Sequence, residues 1–176
     1  MYFFAFVFSL LFFLCSCKED NIIGKTEIKW SKKKSTDFNK ELVIEEQIDI
    51  NLFKEQHKDW DLIITGSGLQ YYIYEHGVVD TLYSPLPGDI AEIQYVVSLL
   101  DGTECYRVTG EDYYEFVVDN SNIESGVQEA IKKMTIGDRA KLIIPTHLAH
   151  GLVGDMNKIP PLNTVVIDIY LIGIQI

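Results

Sequence analysis

Three cysteines among 176 residues are too few to staple a fold with disulfides. Cys15 and Cys17 lie together near the start, which leaves Cys105 on its own, and no spacing of Cys or His makes a zinc site. Positive charge is scarce too: 15 Lys and Arg stand against 26 Asp and Glu, a formal net charge of −11. A nucleic-acid partner, whose binding rests on clustered cations, is therefore not expected. The apolar run that opens the chain is short. It covers about 14 residues where a bilayer-spanning helix needs about 20, and no Lys or Arg precedes it. Gly66-Ser67-Gly68 lacks the Lys-Ser/Thr and the helix start of a phosphate loop, so it reads as a turn. There is no internal repeat.

What the chain does contain is organised around Gly126 to Gly151, GVQEAIKKMTIGDRAKLIIPTHLAHG. Val127, Ala130, Ile131 and Met134 recur at the spacing that lines one face of a helix, with Gln128, Glu129, Lys132 and Lys133 on the other. Ser125 is the candidate N-cap, and Ile136-Gly137-Asp138 the turn that follows. Arg139 to Ile144 alternate as a strand until Pro145, which cannot donate to a ladder, stops it.

With Met134, Gly137-Asp138-Arg139, Ile144-Pro145, Ala149-His150-Gly151, Ile159-Pro160-Pro161 and Val166 to Leu171 in this order, the chain resembles the FKBP-type peptidyl-prolyl isomerases. Pro87-Gly88-Asp89 before Ile93-Gln94-Tyr95, and the hairpin Asp101-Gly102-Thr103, extend the likeness over roughly residues 66 to 176. It implies an α+β fold, a curved antiparallel β-sheet wrapped around one short helix, here with an N-terminal helical arm. Strands are expected at Ile63 to Tyr74 (interrupted by the Gly66-Gly68 turn), Asp89 to Leu99, Gly102 to Val108, Tyr113 to Val118, and around Leu142 and Val166.

Residues 1–16 read as a secretory signal, and Leu14-Cys15-Ser16-Cys17 looks like the cleavage box of a bacterial lipoprotein, with Cys17 left as the lipidated first residue. The polar 17–34 segment reads as a tether. Residues 35–60 form the arm, with a helix from Ser35-Thr36-Asp37 to about Lys58, and 61–176 the FKBP-like domain. Phe38, Leu42, Ile44, Ile48, Leu52 and Phe53 spread over half of that helix and need a cover. The C-terminal domain, a second copy in a dimer, or a partner protein could each supply it. Lipobox, arm and Ser67-Gly68-Leu69 together resemble the gliding-motility-associated FKBP-type lipoproteins of Bacteroidota, which implies a link to a motility or secretion machine. The implied location is the cell envelope, with a lipid anchor facing the periplasm. Lys18-Glu19-Asp20, similar to a surface-export signal, opens the alternative of display on the cell surface.

Rotation about an Xaa-Pro bond is slow because the amide's partial double bond must be broken, over a barrier of ~18–20 kcal/mol. A protein speeds it by moving the imide into an apolar pocket and stabilising the twisted amide, which requires no nucleophile, metal or cofactor. Position by position, the resemblance implies Tyr95, Tyr106 and His150 as the groups that act on the imide, the last where the family has a Tyr. It implies Cys105, Tyr114, Ile123, Glu124, Val127, Ile159 and Ile167 as the walls that take a proline-containing peptide. Glu124 would offer its backbone N–H to the peptide carbonyl. Cys105-Tyr106 replaces Phe-Asp and Val127 replaces a floor Trp, so the pocket departs from the family's. Tyr106 either roofs it or blocks it. A His147–His150 metal pair is disfavoured, with no Cys nearby.

Overall fold

The computed structural model describes residues 31–77 and 83–176. The expected signal, its lipidated Cys17 and the tether up to residue 30 lie outside the described residues. Two units divide the chain, residues 1–37 and 38–176. Of the first, residues 31–37 are described. Ser31, not Ser35, caps the helix there: the Lys34 N–H donates to Ser31 Oγ at 3.3 Å and the Ser35 N–H to the Ser31 carbonyl. Helix α1 accordingly spans Lys32–Gln56, starting four residues earlier than a cap at Ser35 predicts.

In the second unit the strands β1 (Ile63–Ile64), β2 (Gln70–Glu75), β3 (Ile90–Leu99), β4 (Glu104–Val108), β5 (Tyr114–Val117), β6 (Arg139–Ile144) and β7 (Val165–Gln175) join in one antiparallel sheet. Its order is β1-β2-β6-β7-β3-β4, and β5 pairs with the first half of β3, beside which β4 takes the second half. Helix α2 (Ser125–Ile131) fills the concave side. Its Val127, Ala130 and Ile131, with Met134 just beyond, are at most 2% exposed and pack into the same core as Ala91, Ile93, Leu142, Ile167 and Leu171. Gly126 allows the close approach, since a Cβ there would stand 2.4 Å from Ile144 Cγ2.

Two expectations for α2 need correction. Gln128 is not on a solvent face. It is buried, its Oε1 accepting the Asp119 N–H at 2.8 Å and its Nε2 donating to the Ser121 carbonyl, so a polar side chain on the inner side closes the loop before the helix. Ser125 does not cap: Glu124 holds the N-cap position without a side-chain bond, and Ser125 Oγ donates to the Leu148 carbonyl instead.

The sheet carries a core on each face. Strand alternation sends Leu142, Ile144, Val165 and Ile167 to the α2 side and Ile143 and Val166 to the other. On that second face α1 lays Ile50 and Phe53, with Trp60, Leu62 and Leu100 at its border. Of the apolar residues expected to need a cover, Phe53 is buried and Leu42 half-buried, while Ile44, Ile48 and Leu52 stay 53–61% exposed. The face that docks is Leu42, Glu46, Ile50 and Phe53, a stripe at i, i+4, i+8 and i+11 interrupted by a carboxylate.

Candidate functional site

A cavity of about 620 Å³ opens between α2 and the inner face of the sheet. Register brings its walls together. Tyr106 on β4 pairs with Val97 on β3, which pairs with Ile167 on β7. The next inward row puts Tyr95 opposite Ile169, and the one beyond sets Tyr114 opposite Ile93. All seven line the cavity, with Ile123, Glu124 and Val127 from the start of α2 and Ala149, His150 and Asp155 from the loop after β6. Tyr95 and Tyr114 meet edge to face, centroids 6.1 Å apart, and Tyr114 runs on to Phe116 at 6.4 Å. Burial, then the neighbouring Tyr114 and Glu124, push the Tyr95 phenol above its ordinary pKa, so it keeps its proton for donation.

Of the residues singled out from sequence, the structure brings eight to this cavity: Tyr95, Tyr106, Tyr114, Ile123, Glu124, Val127, His150 and Ile167. It places Cys105 and Ile159 behind the wall, each 2% exposed in the core. The Cys105 thiol faces the Lys158 carbonyl at 3.6 Å, and burial raises its pKa. Cys105 falls where the ladder slips, β3 pairing Val97 with Tyr106 but Ser98 with Glu104, and its thiol packs into the same inner core that Tyr106 borders.

Tyr106 neither roofs nor fills the opening. Its hydroxyl donates to Asp155 Oδ2, and Asn157 Nδ2 donates to that hydroxyl at 3.1 Å, so the ring is tied along the wall. Lys158 Nζ stands 5.0 Å from the ring centroid. Asp155 escaped the sequence reading. Burial opposes its charge, yet the Tyr106 hydroxyl, the N–H groups of Asn157 and Ile159 (2.8 Å each) and the nearby His150 outweigh that and lower its pKa to about 2. The signal for it was an Asp two residues ahead of Asn in a glycine-flanked loop, the pattern of a side chain that folds onto its own backbone.

His150 Nε2 lies 2.8 Å from Glu124 Oε1, both side chains about four-fifths buried. The geometry is too bent for a hydrogen bond and leaves Nε2 buried without an aligned acceptor, so the contact is an ion pair only when the ring is protonated. His147 points elsewhere, its Nε2 2.9 Å from the Ser67 carbonyl, and the two histidines do not form a pair. Among the described residues no three His, Cys, Asp or Glu side chains could hold a metal. The Glu124 carbonyl accepts the N–H groups of Val127 and Gln128, while its own N–H takes no part in those bonds.

Aromatic walls, an aliphatic floor and a helix under the opening define a half-barrel built to receive a short apolar stretch of peptide. The chain belongs to the family of FKBP-type peptidyl-prolyl cis-trans isomerases, whose pattern matches residues 83–172. It is 37% identical over 70 residues to human peptidyl-prolyl cis-trans isomerase FKBP10, a match covering 38% of this chain and 12% of that one. FK506-binding protein 1 of Debaryomyces hansenii is 33% identical over 93 residues, covering 52% of this chain and 82% of that protein. FkpA of Escherichia coli, an FKBP-type isomerase, is 30% identical over 112 residues, 63% of this chain and 39% of FkpA. Its crystal structure superposes with a TM-score of 0.65 at 26% identity, over 81% of this chain and 64% of that one. The chain thus spans a minor part of two of these relatives' lengths and most of the third's.

Proposed function

We propose that this chain is a lipid-anchored peptidyl-prolyl isomerase acting on proteins of the cell envelope. The observation that carries the catalytic part is the open cavity: Tyr106, the substitution that could have blocked it, is held to the wall by Asp155. A prolyl ring would sit against Val127, Ile167 and Ile169, with Tyr95 and Tyr114 beside it, leaving water as it enters. The carbonyl before the proline would meet the Glu124 N–H, and the nitrogen that loses conjugation in the twisted amide would be favoured by the apolar floor. The anchor rests on Leu14-Cys15-Ser16-Cys17, and a role in gliding motility or secretion on the resemblance of lipobox, arm and Ser67-Gly68-Leu69 to those lipoproteins.

The test is relaxation of a proline-containing peptide from cis to trans, followed at micromolar protein. Acceleration proportional to protein concentration is expected, and a rate equal to the spontaneous one ends the catalytic reading. Mass analysis of the native protein checks the anchor, an unacylated Met1 start excluding it.

A second reading is a binding module that holds a partner in an envelope assembly. It is favoured by the polar Glu124, His150 and Asp155 side chains at the cavity and by the exposed Ile44, Ile48 and Leu52 of α1. Affinity capture that recovers no stable partner from envelope extracts counts against it.

A further inference from the structure

Helix α1 lies outside the stretch that matches the family, yet one of its side chains is built into the loop that carries His150. Glu46 Oε1 accepts three hydrogen bonds: from the Thr146 N–H at 2.6 Å, the Thr146 hydroxyl at 2.5 Å and the Thr164 hydroxyl at 2.7 Å. Thr146 and Thr164 are 8% and 3% exposed, so without the carboxylate three buried donors lose their acceptor. Thr146 opens the 3-10 turn Thr146–Leu148, and its own carbonyl accepts the N–H groups of Ala149 and Gly151, the residues on either side of His150. Leu148 in that turn accepts from Ser125, next to Glu124, and Thr164 leads into β7, which brings Ile167 and Ile169 to the floor. A single oxygen on the outer helix therefore fixes the backbone that sets where His150 stands.

We infer that Glu46 is a positioning residue of the isomerase site, acting through Thr146 on His150, so that the arm is a working part of the pocket and not only its mount. The inference deepens the proposed function and rests on it for the catalytic readout alone. In the full-length chain, Glu46→Ala is expected to reduce hydrogen-exchange protection at Ala149 and Gly151 relative to β7 about tenfold, the loss of one good hydrogen bond. KM for a proline peptide should rise by a similar factor, about tenfold, with kcat less affected. Glu46→Gln, whose amide oxygen can still accept, should restore both to within about twofold. Glu46→Asp, which keeps the charge but withdraws the oxygen by one methylene, stands in if the alanine variant does not fold. Unchanged protection at Ala149 and Gly151, or lost protection with KM unchanged, overturns the inference even if the variants melt earlier. If the parent chain does not catalyse rotation, the proposed function falls, and the exchange measurement alone decides whether Glu46 positions the loop.

Discussion

The phenol of Tyr106 and the carboxylate of Asp155, 49 residues apart in sequence, are bonded in the wall of the cavity. Each alters the other: the bond raises the Tyr106 pKa and helps to lower that of Asp155. Tyr106→Phe keeps the ring and removes the bond. The Asp155 carboxyl, followed by carbon-13 NMR, should then titrate above its present value of about 2, nearer its ordinary 3.8. An unshifted titration would mean that the backbone N–H groups alone hold it.

Acid stability follows from the same direction of shift. Asp138, 2% exposed, is penalised by burial but receives the N–H groups of Thr135 and Gly77, the Thr135 hydroxyl and a contact from His76, and its pKa is lowered overall. For Asp138 and Asp155 the folded value is below the unfolded one, so the unfolded chain binds protons more readily. Their contribution is complete above about pH 4 and is lost as pH falls toward 2. Denaturant titrations across that range should show the parent losing stability with acid and Asp138→Asn, less stable at pH 7, losing less.

Removing an aromatic wall should separate activity from stability. Tyr114 is 40% exposed, so Tyr114→Ala leaves the core intact while taking the ring from Tyr95. A fall in kcat/KM of about tenfold is expected, with the unfolding free energy changed by about 1 kcal/mol or less. A melting point lowered as steeply as the activity would assign the ring to the core.

Gly77 and Gly137 touch backbone to backbone. A Cβ at Gly77 would fall 2.0 Å from the Ile136 carbonyl oxygen, and Gly137 itself sits at a φ of +92°. Gly77→Ala should therefore cost about 2–3 kcal/mol, readable as a shifted urea midpoint with unchanged slope.

The fold was legible from sequence wherever the period was clean. Arg139–Ile144 appears as read, bounded by the Gly137 turn and Pro145, and the strands up to Val117 fall within a few residues of their turn signals. The docked face of α1 was not legible. Its stripe contains Glu46, a carboxylate whose burial is offset by Thr146 and Thr164, 100 and 118 residues away, while the more apolar Ile44, Ile48 and Leu52 remain outside. Of the eight singled-out residues that line the cavity, Tyr95, Tyr106, Tyr114 and Ile167 are brought there by strand register, and Ile123, Glu124, Val127 and His150 by the start of α2 and the loop after β6. Asp155 was not legible, since its place depends on a loop closing back onto Tyr106, and Cys105 sits behind the wall where the β3–β4 ladder slips by a residue, which no local pattern announces.

Along β6 and β7, neighbouring residues belong to different interiors: Ile143 and Val166 to the helix outside, and Leu142, Ile144 and Ile167 to the one within. Inserting one residue at the start of either strand would exchange those memberships and ruin both packings at once, whereas inserting two would restore the parity. Length variation among natural versions of this segment should therefore come in even steps or be confined to the loops.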